Sequence, residues 1–349
     1  MLPRLDELIG RVQQNCHIAD ARHARNMTLC SYLLEMREFY RWEHGLPAAE
    51  PAPRAEVGRW IAQREALWND IEESEFSPLP LKDELMDPFA NAAINSELRQ
   101  HGLVYGAGMG RFHKPNFFLG ELLRQEERGG VSILVCGCEY ARDLTAAPAA
   151  LLNDTVYLRR ESLTRWLWEK VEAWGVRPRD GALKAVLDAY GYESGSARAI
   201  ESMTEGESET LILHEMGEHA AGLILGKSWE EMLSGFSGRR AEVLARAVRD
   251  NLADCLVTLP TLLRREASPS IHFWFSNFDG MRRALFPDLT RAYDLWHEGG
   301  QSAALAEALE KGRDHWQDVG YRLLELHRQQ GAAAEKQIAA LIAGDALAL

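Results

Sequence analysis

The chain has 349 residues, of which 46% are hydrophobic and 26% are charged, and this composition is ordinary for a globular protein with a sizeable core. Its formal net charge of -13 and its pI near 5.4 exclude nucleic acid and anionic membrane surfaces as favoured partners, because both would repel the protein surface.

The sequence carries no sign of export or membrane insertion. The N-terminal stretch MLPRLDELIGRVQQ lacks the apolar core of a signal peptide, and no run approaches the roughly 18 apolar residues that a membrane span needs. The five cysteines are an odd number and are widely scattered, which favours reduced thiols over a disulfide scaffold. We therefore predict a cytoplasmic protein with no membrane partner.

Helical periodicity dominates the N-terminal region, residues 1–102. Apolar residues recur at three- and four-residue spacing in LDELIGRV, TLCSYLLEMREFYRWEHG and VGRWIAQREALWNDI. Two proline-containing segments, LPAAEPAPRAE and SPLPLKDELMDP, interrupt these helices. The following segment, FANAAINSELRQHG, predicts one more helix that ends at Gly102.

The pattern changes to strands over residues 103–160. Short β-branched or aromatic runs, LVYGAG, NFFLGELL, VSILVCGCEY and DTVYL, are separated by turn residues such as Arg128-Gly129-Gly130 and predict a small antiparallel sheet. Helical patterns return over residues 161–349. We predict an α+β fold that is predominantly α-helical, with three regions that could pack as one compact unit.

The segment LILHEMGEHAAGLIL, residues 211–225, is the most informative one for function. A helix that is apolar on nearly every side is buried, and buried polar groups need partners. In a regular helix His214 shares a face with Glu218, and Glu215 shares one with His219. A hydrogen-bond network or a metal ion would satisfy these groups.

The two histidines are five residues apart, so on a regular helix they lie roughly 140° apart. His214 and His219 converge on one ion if the helix widens by one residue, as in the π-type turns that recur at functional sites. Gly217 lies between them, which suits either such a distortion or a close backbone approach.

The pattern His-Glu-x-x-x-His resembles the zinc-binding motif of the dipeptidyl peptidase III type of metallopeptidase. A second segment, RDNLADCLVTL at 249–259, is similar to that family's second motif, with Asp250, Ala253 and Asp254 at matching relative spacing. The resemblance covers about 45 residues. It departs from the family in carrying aspartate where the family has glutamate, in a shorter gap between the motifs and in a much shorter chain.

The resemblance implies a zinc-dependent hydrolase that acts on a peptide or amide bond. It implies His214, His219 and Asp250 as zinc ligands. Asp250 has a side chain one methylene shorter than glutamate, and Glu242, on the same predicted helix, is its substitute. Glu215 would be the catalytic base that activates water, and Asp254 would orient a ligand imidazole. Glu218 has no role in the family and is predicted to support the site from outside the ligand set.

Two rival interpretations remain open. His17, Asp20 and His23 follow one another at helical spacing and are alternative metal ligands. Packed against Glu215 and Glu218, His17 and Asp20 would give a helical carboxylate–histidine protein with iron or manganese redox chemistry. The other rival is a non-catalytic scaffold, in which the polar residues of 211–225 form only an internal hydrogen-bond network.

Overall fold

The computed structural model describes residues 4–47, 50, 52–81, 84–193, 196–299, 302–341 and 347–349. The fold is α+β and predominantly helical, as the sequence predicts. The chain forms two compact units: Met1–Val176 with Gly195–Thr204, and Arg177–Ser194 with Glu205–Leu349. The helical N-terminal region and the sheet region of the sequence therefore lie in one unit.

The first unit contains five complete helices, taken over the described residues. They are α1 (Leu5–His23), α2 (Leu29–Glu43), α3 (Arg54–Ile71), α4 (Asn91–Leu98) and α5 (Arg160–Val176). A short 3₁₀ turn follows α4 and ends at Gly102, whose φ of 69° is in the left-handed region. Glycine adopts that conformation without steric cost, so it ends the helix as predicted.

Two sheets belong to the same unit. The smaller one pairs β1 (Leu79–Leu81) with β2 (Glu84–Met86) and lies in a segment whose prolines had indicated a connection. The larger one contains β3 (Leu103–Met109), β4 (Pro115–Arg128), β5 (Val131–Arg142), β6 (Ala149–Leu152) and β7 (Thr155–Arg159), in the spatial order β3-β4-β5-β7-β6.

The larger sheet is mixed rather than wholly antiparallel. Strands β3, β4 and β5 form an antiparallel meander, and β6 pairs antiparallel with β7, but β5 and β7 run parallel. The β4–β5 hairpin turns at Gly129 and Gly130, with φ values of 61° and 84°. A two-residue hairpin turn with both φ values positive has the twist that matches the flanking strands.

Helix α1 supplies much of the core of this unit. Leu8, Val12 and Cys16 recur every four residues on one face and are fully buried together with residues of β3 and β4. The parallel partner β7 leads directly into α5, whose Leu163, Leu167 and Val171 are buried.

The second unit is helical over its described residues. Its elements are α6 (Ala182–Ala189), most of α7 (Ala197–Leu225), α8 (Lys227–Ser234), α9 (Arg239–Ala253), a π-helical turn (Asp254–Thr258), α10 (Leu259–Arg264), α11 (Ser268–Ser276), α12 (Gly280–Leu285), α13 (Pro287–His297), α14 (Ala303–Gln330) and α15 (Ala334–Ala340). Its core includes Trp229, Leu244, Val248 and Trp316, each fully buried. Among the helices described, none is long and apolar enough to cross a membrane.

Candidate metal centre

Helix α7 carries the polar segment and is α-helical throughout Ala197–Leu225. Its inward positions Ile212, Leu213, Ala221 and Leu225 are buried. The helix does not widen at Gly217, so the expected distortion between His214 and His219 is absent from this part of the chain. Apolar packing on both sides of the polar residues holds the regular helix in place.

Gly217 instead permits a close contact between two helices. A Cβ atom on Gly217 would lie 2.5 Å from the carbonyl oxygen of Ala253, at the end of α9. That separation is too short for any real side chain, so only glycine fits without a shift of the backbone. Close backbone approach, rather than a hinge, therefore accounts for this glycine.

The approach of α9 to α7 gathers three potential metal ligands. One ligand atom from each of His214, Glu218 and Asp250 lies within 4.8 Å of the other two. The His214 Nε2 atom is 3.7 Å from Glu218 Oε1, as the four-residue spacing on one helix face requires. Over the described residues, this is the one group of three or more histidine, cysteine or acidic side chains with metal-ligand spacing.

Asp254 fixes the orientation of the His214 ring. Its Oδ1 atom lies 2.8 Å from His214 Nδ1 and also accepts a hydrogen bond of 3.0 Å from the indole N–H of Trp274. Its Oδ2 atom accepts one of 2.5 Å from Arg282. With Nδ1 directed at Asp254, the second ring nitrogen, Nε2, faces Glu218. This carboxylate–imidazole arrangement is typical of metal-binding histidines.

The charges of Asp254 and His214 stabilise each other. Burial would raise the pKa of Asp254, but His214 and Arg282 hold it below its usual value. Burial alone would lower the pKa of His214, whereas the adjacent Asp254 carboxylate raises it to about 10. Without metal the imidazole is therefore protonated near neutral pH, and a metal ion would replace the proton on Nε2.

Arg249 is the positive group nearest the two other acids of the cluster. Its Nη2 atom donates to Glu218 Oε2 at 2.7 Å and lies 3.6 Å from Asp250 Oδ1. Burial nevertheless raises the pKa of Glu218, and Asp250 raises it further. The pKa of Glu215, a neighbouring residue only 8% exposed, rises to about 8 through burial and the Glu218 charge.

One oxygen atom of the cluster has no hydrogen-bond partner. Asp250 is 5% exposed, and its Oδ1 atom is buried, with Arg249 Nη2 at 3.6 Å as its ion-pair partner. An unsatisfied buried carboxylate oxygen costs free energy that a bound cation would remove. Donor atoms around a small divalent ion lie about 3.5 Å apart, given coordination distances of about 2.1 Å. No two of the ligand atoms are more than 4.8 Å apart, so each pair would have to approach by at most about 1.3 Å, and the residue types fit such an ion.

Two of the residues predicted as ligands do not join the cluster. His219 belongs to the same helix but has no place in the group of His214, Glu218 and Asp250, because the regular helix directs it elsewhere. Glu242 lies two turns before Asp250 on α9, and its Oε1 atom accepts a hydrogen bond of 2.8 Å from Arg246.

The N-terminal candidates are engaged within the first unit. His17 Nε2 lies 2.5 Å from Arg64, and burial together with that guanidinium lowers the pKa of His17 to about 3. Asp20 forms an ion pair of 2.7 Å with Lys114 and accepts the backbone N–H of Leu144 at 2.8 Å. Neither they nor His23 belong to a group with metal-ligand spacing among the described residues.

Several groups that shape the centre were not predicted in the role that the structure gives them. Glu218 was predicted to support the site from outside the ligand set but lies at ligand distance, as its spacing of four residues from His214 allows. Arg249 directly precedes Asp250, so its proximity to the acids could have been suspected. Trp274 and Arg282 reach Asp254 from α11 and α12, and no local pattern in the sequence indicates either contact.

Family comparison covers nearly the whole chain. Residues 7–159 match the N-terminal domain and residues 164–345 match the C-terminal domain of a family of unknown function, DUF6866. The comparisons with curated proteins and with solved structures found no match. The group of His214, Glu218 and Asp250 lies entirely within the segment that matches the C-terminal domain.

Proposed function

The chain belongs to this family of unknown function, DUF6866, and we propose that it is a metal-dependent hydrolase. Its single divalent ion, preferably zinc, would be held by His214, Glu218 and Asp250. The observation that carries the proposal is the cluster of these three side chains, with Asp250 Oδ1 buried and unsatisfied. Imidazole and carboxylate are both ligand types that zinc accepts, and three protein ligands leave a fourth position for water, as in catalytic zinc sites.

Glu215 is the candidate catalytic base in this proposal. It is buried beside the cluster and is not a member of it, so its carboxylate would be available to accept and return a proton. The ion would lower the pKa of a bound water and polarise the carbonyl of the substrate. Glu215 would then take a proton from water and deliver it to the leaving group.

The substrate class rests on sequence resemblance. The His-Glu-x-x-x-His segment and the acidic segment that contains Asp250 and Asp254 are similar to motifs of dipeptidyl peptidase III-type enzymes, which supports a peptide or amide bond as the target. The ligand set differs from that resemblance, because Glu218 takes the place expected for His219. The cytoplasmic setting is also a prediction, supported by five free cysteines in the described chain.

Metal analysis of protein purified without added metal tests the proposal. We expect about one zinc ion per chain in the wild type and its loss in His214→Ala and Asp250→Asn. His219→Asn is the matched control and should keep the ion, because His219 lies on the same helix outside the cluster. Glu215→Gln should keep the ion and lose hydrolysis of peptide or amide substrates.

Other outcomes would contradict specific parts of this proposal. Loss of zinc in His219→Asn with retention in Glu218→Gln would contradict the ligand set and favour the one expected from the resemblance. Two iron or manganese ions per chain would favour redox chemistry. The Arg249–Glu218 ion pair is the observation that favours a scaffold, and absence of any metal would support that alternative.

A further inference from the structure

Arg249 places a positive charge of the chain itself against the candidate metal centre. The residue lies on α9 directly before Asp250, and its side chain is 12% exposed. Its Nη2 atom donates to Glu218 Oε2 at 2.7 Å and lies 3.6 Å from Asp250 Oδ1. Two of the three proposed metal ligands are therefore already paired with a cation.

Glu218 and Asp250 cannot serve a divalent ion and Arg249 equally well. Their two negative charges balance a divalent ion by themselves, which leaves the guanidinium group without a counter-charge among the ligands. The Glu218 Oε1 atom lies 3.7 Å from His214 Nε2, whereas its Oε2 atom binds Arg249. An ion on Oε1 would be separated from the guanidinium group by the width of one carboxylate, and like charges that close repel strongly in a buried site.

Glu230 offers the guanidinium group a second partner outside the centre. It lies on α8, its side chain is 68% exposed, and its Oε1 atom is 3.7 Å from Arg249 Nη1. Burial would lower the pKa of Arg249, but four acids raise it: Glu218, Asp250, Glu230 and Glu215. The first two are proposed ligands and the last is the proposed base. Of these four acids, Glu230 is thus the one that a bound ion would leave available.

The hydrogen bonds of Arg249 are incomplete in its present position. Over the described residues, its side chain makes one hydrogen bond, to Glu218, and its Nε atom is buried without a partner. The 3.7 Å separation between Nη1 and Glu230 Oε1 is longer than a hydrogen bond. A guanidinium group held by one of its five N–H donors is displaced more easily than one bound by two parallel hydrogen bonds.

We propose that Arg249 is an internal counter-ion of the candidate metal centre, bonded to Glu218 in the metal-free protein and displaced towards Glu230 when a divalent ion binds. Rotation of the end of the side chain is sufficient, because Nη1 already lies near Glu230 Oε1. The inference rests on the metal site proposed above and assigns a regulation to it. The cation of the chain stabilises the metal-free form and lowers the affinity for the ion, so the ion is exchangeable.

Zinc titration of the metal-stripped, full-length protein against a chromophoric chelator tests the proposal. We expect Arg249→Gln to bind zinc at least about tenfold more tightly than the wild type, since the charge-assisted hydrogen bond that competes with the ion is worth at least that much. Arg249→Lys keeps the positive charge and should stay close to the wild type. Arg246→Gln is the matched control, because Arg246 lies on the same helix and pairs with Glu242 outside the centre; it should leave the zinc affinity unchanged.

Urea unfolding of the metal-free proteins gives a second measurement. Arg249→Gln should be less stable than the wild type, because Glu218 and Asp250 lose their cationic partner, and zinc should restore its stability. The two effects of this substitution then have opposite signs. Loss of an ordinary structural ion pair would instead lower the stability and the zinc affinity together, and that result would overturn the proposal.

A double-mutant cycle tests the displacement towards Glu230. Glu230→Gln should weaken zinc binding about two- to fivefold, the size expected of a partly exposed ion pair. It should have no effect in the Arg249→Gln background, where there is no guanidinium group to displace. Equal weakening in both backgrounds would show that Glu230 acts on the ion by its charge alone and would overturn the displacement.

Failure of this inference is distinguishable from failure of the proposed function. Zinc binding by the wild type, with equal or weaker binding by Arg249→Gln, would overturn the internal counter-ion and leave the metal site in place. Absence of zinc binding from both proteins would overturn the two proposals together. Zinc binding by Arg249→Gln alone would support the inference, because the site would then be complete apart from the competing charge.

Discussion

The imidazole of His214 lies between two carboxylates with different roles. Asp254 is ionised and receives hydrogen bonds from Trp274 and Arg282, so it is a fixed acceptor for Nδ1. Glu218 lies on the Nε2 side, beside Arg249 and Asp250. The histidine is therefore oriented before any ion binds, and the cost of ordering it is part of the folding free energy.

Substitution of Asp254 tests this orientation. We expect Asp254→Asn to lower zinc affinity about 10- to 100-fold, because the ring loses its ionised acceptor and becomes a weaker ligand. Competition with a chromophoric chelator measures the change. Trp274→Phe removes one donor to Asp254 but keeps the carboxylate, so its effect should be smaller. Equal affinity in wild type and Asp254→Asn would show that Asp254 does not orient a ligand.

Glu35 should make stability depend on pH. Its pKa rises from 4.5 to about 8 on folding because burial and the neighbouring Glu169 disfavour the charge. The folded state therefore keeps a proton that the unfolded state releases, so this contribution is complete below pH 4.5 and is lost as pH rises through about 8. Glu35→Gln removes the titration and should stabilise the protein by about 2 kcal/mol above pH 8, after allowance for solvent screening.

Urea unfolding of wild type and Glu35→Gln at pH 5 and at pH 8.5 measures this effect. The variant should gain stability relative to the wild type only at the higher pH. Glu172→Gln is a suitable control because the Glu172 side chain, which pairs with Arg37, is 52% exposed. A difference between Glu35→Gln and wild type that is the same at both pH values would contradict the assigned shift.

At the scale of elements, the contact between α7 and α9 sets the geometry of the candidate metal centre. His214 and Glu218 lie on α7, Asp250 lies on α9, and Gly217 touches the end of α9 at Ala253. The backbones meet within one turn of all three potential ligands. A change in this contact therefore changes the distances among them.

Two glycines of α7 allow a matched experiment. Gly217→Ala places a Cβ against the Ala253 carbonyl, and we expect a loss of about 1–3 kcal/mol from overpacking that outweighs the higher helix propensity of alanine. Gly222→Ala meets no atom within 4 Å and should stabilise the protein by about 0.5–1 kcal/mol. Thermal unfolding of both variants decides the matter, and stabilisation by Gly217→Ala would contradict the close approach.

Elements with strong local signals were predictable from the sequence. The helix-dominated α+β class is confirmed, and the strand-rich segment from residue 103 coincides with the larger sheet because its β-branched runs and Gly129-Gly130 turn are local features. The parallel pairing of β5 and β7 was not predictable. The two strands run in the same direction because residues 149–152 form an additional strand, β6, between them in the sequence. The β1–β2 pair was not predicted because the prolines of its segment are more typical of connecting loops than of strands.

In the candidate metal centre too, features set by local sequence were predictable and features set by tertiary packing were not. The shared face of His214 and Glu218 follows from helix geometry alone, whereas the choice between a widened helix and a close backbone approach at Gly217 depends on what packs against it. That neighbour is Ala253, on another helix. The donors to Asp254 come from α11 and α12, so only the folded chain reveals them.

At the scale of the whole molecule, the family match and the compact units divide the chain at different positions, and the two divisions assign helix α5 differently. The family match to the C-terminal domain begins at residue 164, but the compact first unit extends to Val176 and includes all of α5. Ser162 of this helix donates to the buried Glu139 carboxylate of β5, and Leu163 and Leu167 are buried. The helix is therefore part of the core of the first unit.

Fragments that end on either side of α5 test this assignment. We expect residues 1–176 to be more stable than residues 1–159, because the shorter fragment leaves the Glu139 side of β5 uncovered and exposes apolar surface. Thermal melting by circular dichroism, with size-exclusion chromatography to detect aggregation, compares the two. Equal melting temperatures and equal solubility would place α5 outside that core.

The glycine contact between α7 and α9 also has a consequence for ion size. Because the backbones meet at Gly217, the two helices lie close together, and the gap between Glu218 on one and Asp250 on the other is correspondingly small. Calcium needs 6–8 oxygen ligands at about 2.3–2.6 Å, which a gap bounded by three side chains does not provide. Selection against large cations would thus come from a residue that has no side chain and never touches the ion.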